Sequence, residues 1–334
     1  MNAPVPSLIP LSGREKILLV PVNGIGDGLM YLPAAWQLKR AAPGVKIGLL
    51  ANRANGAAAA LRLARDITVV HEYTLGGHGL ADYARFFLAE RRRCARVVAG
   101  ERYDYVATII PNVFRRSILK LFPVERQLVE PDRLKNEYAA ALRTVNRFAG
   151  LPPGGGYGQL LNIPEAAPKR EELGAPQGRY AVLCLEGKSP ARRYPDAAGL
   201  GRALAQATGF TAILAGPRPA DAVEARESNI RDLRGRADWA GLTALMDGAA
   251  VVVAVDGGAM HLAIALAKPV VGLFGPIHSS FRTPPYYPAP WRALDAGPRG
   301  ADGYERREDY AKPAAVVSQL SVDAIVAAVR EVLA

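Results

Sequence analysis

The sequence is poor in the residues that most often settle a protein's class at once. Only two cysteines occur among its 334 residues, Cys94 and Cys184, too few for a disulfide scaffold or a cysteine-rich zinc site. Aromatic residues make up 7% and do not interleave with the basic clusters, which argues against a nucleic-acid platform built on base stacking. No apolar run approaches the roughly 18 residues of a membrane span; the longest closes at Val255. The opening MNAPVPSLIP has no basic leader and is interrupted by prolines, so no secretory signal is expected. The histidines His71, His78, His261 and His278 do not fall at metal-ligand spacing. There is no D-x-D pair and no G-x-S-x-G elbow. Acidic residues are in deficit as well, 31 against 42 Lys+Arg, for a formal net charge of +11. Such an excess calls for an acidic substrate, a membrane surface or nucleic acid. Hydrophobic residues at 50% and charged residues at 22% describe a folded, cytoplasmic protein, long enough for two domains at roughly 150 residues each.

What is present is alternation. The run 16–22, KILLVPV, reads as a buried parallel strand. It passes through Asn23-Gly24-Ile25-Gly26-Asp27-Gly28 into helical spacing over 29–40, and a second strand at 45–51 follows the turn Pro43-Gly44. Strand, helix, strand within so short a span is a βαβ unit. Further strands are expected at 69–70 and 105–110, with a helix over 81–99 carrying Arg91, Arg92, Arg93 and Arg96. At 151–158, LPPGGGYG, composition shifts to proline and glycine, marking a linker. Beyond it the pattern restarts, with strands at 180–185, 211–215, 250–255 and 269–274 and helices at 196–208, 242–248 and 259–267. Ser321 is positioned to cap a last helix with one apolar stripe, Val322, Ile325, Val326, Val329 and Leu333. The chain therefore divides into an N-terminal Rossmann-like domain over 1–152, a second over 153–320, and a closing helix over 321–334 that packs back toward the first. The fold class is α/β: two doubly wound domains facing a cleft.

Three loops carry candidate chemistry. The turn at Gly24–Gly28 is not a dinucleotide fingerprint, because Leu29 stands where its third glycine is needed. Asp27 opens a helix there, and two readings stand: a cap held by the helix dipole, or a general base. Gly187-Lys188-Ser189 ends like a P-loop, but Val182 replaces the first glycine. Lys188, Arg192 and Arg193 nevertheless share one loop, either to meet a phosphate or as a solvated surface. In Val251-Val-Val-Ala-Val-Asp256-Gly257-Gly258-Ala259-Met260-His261, a strand ends in a carboxylate, two glycines and a helix start. That is the arrangement in which backbone amides face a diphosphate, with His261 placed to donate to it. Phe274-Gly275-Pro276-Ile277 closes the next strand and is expected on the same wall.

These residues resemble glycosyltransferase family nine, the bacterial heptosyltransferases of lipopolysaccharide core assembly. Four blocks carry the likeness: Gly26-Asp27 with Pro33, Leu38, Lys39 and Pro43-Gly44; Tyr103-Asp104 with Arg116-Ser117; Arg192-Arg193-Tyr194-Pro195; and Asp256 to His261 through Pro269 to Phe274-Gly275-Pro276. The resemblance implies a GT-B fold and an inverting, metal-independent transfer of heptose from ADP-heptose to a lipopolysaccharide core acceptor. It implies Asp27 as catalytic base, with Lys188, Arg192, Asp221, Asp256, Gly257, Gly258 and His261 binding the donor and Arg115 and Arg116 the acceptor. No cofactor or metal is implied. The partners implied are a nucleotide sugar, an anionic glycolipid and, peripherally, the inner membrane surface, with no nucleic acid. The basic residues Arg91, Arg92 and Arg93 then either meet that surface or form a solvated helix face. The sequence departs from the family pattern where Arg192 replaces a usual lysine, Lys188 a common hydroxyl residue, and Gly257-Gly258-Ala259 a segment that often begins with Ser or Thr. Another nucleotide sugar with a protein or small-molecule acceptor remains open, as does a non-catalytic sugar-nucleotide or nucleic-acid binding protein.

Overall fold

Eleven strands among the described residues assemble into two sheets, every pairing parallel. The computed structural model describes residues 11–21, 24–75, 80–109, 113–130, 136–149, 157–164, 166–218, 227–297 and 316–334. In the first sheet, β1 (Lys16–Leu19), β2 (Lys46–Asn52), β3 (Val69–Tyr73), β4 (Tyr105–Ile109) and β5 (Gln127–Glu130) lie in the order β3-β2-β1-β4-β5. In the second, β6 (Tyr180–Cys184), β7 (Thr211–Leu214), β8 (Ile230–Asp232), β9 (Val251–Val255), β10 (Val270–Phe274) and β11 (Trp291–Asp295) lie in the order β11-β10-β9-β6-β7-β8. Both are the doubly wound order of dinucleotide folds, with the reversal between β1 and β4 in one sheet and between β6 and β9 in the other.

The central strands are apolar because both faces are covered. All five residues of β6, β9 and β10 are buried. In the first unit Leu18, Leu50, Tyr73 and Val106 join Phe86, Cys94, Ile118 and Phe122 in one core. In the second, Leu183, Val253 and Leu273 join Leu200, Leu204, Ile325 and Val329. The two thiols, Cys94 and Cys184, are buried and free.

Several expectations are adjusted. The helical run expected over 29–40 is two helices, Ile25–Leu29 and Leu32–Ala41, the second begun by Pro33 in its first turn. Proline has no N–H to lose there and starts a helix well. The helix expected over 81–99 is Leu80–Arg85 and Arg91–Glu101, joined by a π-helical turn, Phe86–Glu90. Strands β5, β8 and β11 and helix Glu137–Ala149 are additions. The chain divides into two units, Met1–Asn162 with Pro284–Tyr286, and Ile163–Thr283 with Tyr287–Ala334. That division falls past the proline- and glycine-rich segment for a local reason. Arg65 N–H donates to Leu160 at 3.0 Å, and Ala64 forms an antiparallel bridge with Leu161, so the chain up to Asn162 is stitched into the first unit. The closing helix is Val322–Leu333. Its Ile325, Ala328, Val329 and Val332 belong to the core of the second unit.

Candidate active site

In open α/β sheets, ligands collect at the carboxyl ends of the strands where the order reverses. In the first sheet the chain leaves β1 into helix Ile25–Leu29, and Asp27 is its third residue. Asp27 Oδ2 accepts the Gly24 backbone N–H at 2.8 Å, so the half-buried carboxylate is oriented by the helix start it caps. Beyond the end of β4, helix Val113–Leu119 supplies Arg115 and Arg116. The two part company. Arg115 is 4% exposed and donates to the Ile109 carbonyl, whereas Arg116 faces solvent.

Burial lowers the Arg115 guanidinium from its ordinary value, and Tyr31, Asp27, Glu137 and Tyr73 pull it back up. Asp27 and Arg115 are thus within electrostatic reach of one another. The Tyr31 hydroxyl accepts the Ile109 N–H at 2.9 Å. Burial pushes the Tyr31 and Tyr73 phenols far above their usual range, so both stay neutral. The result is a carboxylate, a buried guanidinium and two neutral phenols gathered at the reversal point of the first sheet.

In the second sheet the corresponding ends are those of β6 and β9. Val255 is followed by Asp256, 4% exposed, then Gly257 and helix Gly258–Ala265. Asp256 Oδ2 pairs with Arg192 Nη1 at 3.4 Å, and His261 Nε2 stands 3.7 Å from Oδ1. Burial alone would raise this carboxyl. The His261 ring and the Arg282 and Arg192 guanidiniums outweigh it and hold Asp256 well below the usual carboxylate range, hence ionised. Arg193 pairs with Glu186 at 3.2 Å on the same β6 loop, while Lys188 is exposed.

Two glycines here have different reasons. Gly257 has an extended φ of 172°, which any residue adopts, and a Cβ added to it would meet nothing nearer than the Val255 carbonyl at 3.8 Å. Neither backbone nor packing requires glycine there, and the main chain at Gly257 is left bare. At Gly187 an added Cβ would lie 2.5 Å from Arg192 Cβ and 2.6 Å from its carbonyl oxygen. That glycine seats Arg192.

The sequence-derived donor residues Arg192, Asp256 and His261 thus come together, with Gly257 and Gly258 completing the loop; Lys188 lies on the neighbouring β6 loop, facing water. His261, 2% exposed, turns its Nε2 to Asp256. Asp221 lies outside the described residues. Arg282 was not anticipated. It follows the turn Ser279–Phe281, a few residues past the Phe274-Gly275-Pro276 signal, and that signal could have led to it. Among the described residues, no three His, Cys, Asp or Glu side chains gather as a metal-holding group.

Residues 152–293 match the family model described as glycosyltransferase family 9 (heptosyltransferase). The chain carries a glycosyltransferase family 9 domain. That domain contains the β6 loop, Asp256 to His261 and Arg282. No curated protein matches the chain in sequence. Among solved structures, a glycosyl transferase family 9 protein from Veillonella parvula superposes with a TM-score of 0.75 at 17% identity, over 97% of this chain and 99% of that one. The E. coli ADP-heptose lipopolysaccharide heptosyltransferase II follows with a TM-score of 0.69 at 19% identity, over 95% and 98%. E. coli heptosyltransferase WaaC with ADP has a TM-score of 0.66 at 18% identity, over 95% and 99%. The two parallel sheets are those of the GT-B fold, and the chain is a glycosyltransferase.

Proposed function

We propose that this family 9 glycosyltransferase moves a heptose from ADP-heptose to an anionic lipopolysaccharide core acceptor, with inversion and without a metal. The observation that carries this reading is the ionised Asp256 held among Arg192, Arg282 and His261 inside the family domain. Two guanidiniums against one carboxylate leave net positive charge where a diphosphate needs it. Asp256, lacking a proton, offers the phosphate no donor; it aims Arg192 and His261.

Asp27 takes the proton of the acceptor hydroxyl as that oxygen attacks the anomeric carbon from the face opposite the diphosphate. The anomeric C–O bond breaks, and its electron pair leaves on the β-phosphate oxygen of ADP. Arg192, Arg282 and Lys188, together with the opening amides of helix Gly258–Ala265, stabilise that charge. Asp221 serves the donor ribose, and Arg115 and Arg116 the anionic acceptor. The reaction takes place on the cytoplasmic side.

Purified protein incubated with ADP-heptose and core acceptors is expected to add the mass of one heptose, with or without a chelator. Asp27→Asn is expected to abolish transfer while ADP still raises the melting temperature. Retained turnover in Asp27→Asn would remove Asp27 as base. Transfer from a different nucleotide sugar only would overturn the donor, and loss of product with chelator would overturn metal independence.

A further inference from the structure

Arg192 and Arg193 are neighbours in the chain but serve different carboxylates. Arg192 Nη1 lies 3.4 Å from Asp256 Oδ2, beyond β9, whereas Arg193 Nε lies 3.2 Å from Glu186 Oε2, within the same loop. That loop leaves β6 at Leu185 and closes at Tyr194, whose N–H donates to the Leu185 carbonyl at 3.0 Å. Glu186 stands next to Gly187 and Arg193 next to Arg192, and Gly187 and Arg192 are where the two limbs of the loop touch. The ion pair therefore ties the limbs together directly beside the seat of Arg192. The Glu186 side chain is 9% exposed, so water competes little for this pair, and losing one partner matters more than at the surface.

A second pair backs the first. Asp232, the last residue of β8, and Arg234 are both buried. Arg234 Nε donates to Asp232 Oδ1 at 2.9 Å and Nη2 to Oδ2 at 2.6 Å, a two-pronged grip of fixed direction. Their backbone is pinned to the exit of β7, Leu233 N–H on the Leu214 carbonyl and Gly235 N–H on the Gly216 carbonyl, each at 2.8 Å. The hydrogen bonds to Asp232 raise the Arg234 guanidinium and burial lowers it. Of the further charges that reach it, Glu186 raises it and Arg193 lowers it. Asp232, Arg234, Glu186 and Arg193 thus alternate in sign, and their charges cancel; the exposed Arg218, which also acts on Asp232, lies outside this set. Arg192 and Arg282, by contrast, share the single Asp256. The balanced set offers a phosphate little, and what it supplies is rigidity.

We propose that Glu186, set between Arg193 and the anchored Arg234, is a positioning residue for donor binding: it braces the β6 loop so that Arg192 is already aimed when the diphosphate arrives. The inference rests on the reading of Arg192 as a donor-binding residue and extends it to four residues that need not touch the donor. An arginine on an unbraced loop has to be ordered at the moment of binding, and that ordering is subtracted from the affinity. A cation held in place beforehand stabilises the leaving charge without that cost. Glu186 and Arg193 hold the loop, and Asp232 fixes the Arg234 head against which Glu186 is set.

The test is a double-mutant cycle on the full chain, read as ADP affinity by titration calorimetry in the natural protein, Glu186→Gln, Arg192→Gln and the double variant. Glu186→Gln keeps the shape and removes the charge, and it is expected to weaken ADP binding by about fivefold, within the range of coupled neighbours. Arg192→Gln is expected to weaken it at least as much. The double variant should bind no more weakly than Arg192→Gln alone, because Glu186 acts through Arg192. A merely structural role would instead make the two losses multiply, and that result would overturn the proposal. Arg193→Gln removes the same ion pair from its more exposed side, so it carries the cycle if Glu186→Gln does not fold, with the same pattern expected. Equal ADP affinity in the natural protein and Glu186→Gln would overturn this inference alone. No ADP binding by the natural protein would overturn the donor reading and this inference with it.

Discussion

A carboxylate as buried as Asp256 persists as an anion only while cations face it, so removing its charge is a sharper probe than removing its bulk. Asp256→Asn keeps the shape but leaves Arg192 and Arg282 without their counter-charge. Breaking a buried pair from one side costs roughly 3–5 kcal/mol; the low end is expected, since the Arg192 side chain is 19% exposed. The sign with pH follows from the lowered pKa. The contribution of Asp256 is complete above the unfolded aspartate value of about 3.9 and is lost as pH falls below it. Melting temperature plotted against pH should therefore drop in acid for the natural protein, and less steeply for Asp256→Asn. Equal acid slopes in the two would show that Asp256 is not the group responsible. Gly187 tests the same cluster through its backbone. In Gly187→Ala the new methyl collides with Arg192 at both Cβ and carbonyl oxygen, so ADP affinity should fall by about tenfold, with a modest stability loss of roughly 1–3 kcal/mol. Unchanged affinity by titration calorimetry would separate Arg192 from donor binding.

At the scale of elements, the closing helix is the clearest case of an element legible in the sequence. Ser321 caps it, its Oγ accepting the Ala324 N–H at 3.2 Å. Ser321→Ala should cost about 1 kcal/mol. Because that helix lies in the second core, the loss should appear as a lower melting temperature of the second unit, by about 2–4 °C. Full melting curves that overlay would place the helix outside that core. The apolar stripe alone could not say which sheet it covers, since either core would accept Ile325, Val329 and Val332. Central strands were legible because burial on both faces makes them continuous apolar runs, as in β9, Val251–Val255. Of the edge strands, β3 was legible at Val69-Val70, whereas β5, β8 and β11 were not. In β8, Ile-Arg-Asp, and β11, Trp-Arg-Ala-Leu-Asp, charged residues share the strand with apolar ones, and a pattern that short is indistinguishable from a loop. The site divided the same way. Asp256 sits directly after a buried strand, and Asp27 and Arg192 sit in the stretch of chain that follows one, so strand reading located them. Arg282 reaches Asp256 from a long irregular connection, whose course is set by tertiary contacts such as Ser279 N–H on Asp295 at 2.7 Å. The π-turn over Phe86–Glu90 is likewise announced by no residue in the sequence.

At the scale of the whole molecule, each sheet has its own core and its own cluster of ionisable groups, and the proposed reaction gives the two clusters opposite chemical tasks. Around Asp27 and Arg115 a carboxylate and neutral phenols gather, and the proposal brings the acceptor hydroxyl to them. Around Asp256, Arg192 and Arg282 the excess is cationic and suits a leaving diphosphate. The sequence-wide charge of +11 is thus not one uniform attraction: part of it is tied to Asp256 and Glu186, and part is displayed on the outer face of the helical segment 80–101. A ligand that binds only the folded protein stabilises it by mass action, about 2.7 kcal/mol at a hundred times its dissociation constant. ADP is the product that the proposed reaction leaves behind, and the clustered cations assign it to the second sheet. Hydrogen exchange with saturating ADP should therefore slow in the loops after β6 and β9, in helix Gly258–Ala265 and around Arg282. Amides of β1 to β5 and of helix Ile25–Leu29 should exchange as before. Protection centred on Asp27 would move the diphosphate to the first sheet and exchange the roles of the two clusters. Protection confined to the second sheet, and lost in Gly187→Ala, would tie nucleotide binding to the seat of Arg192.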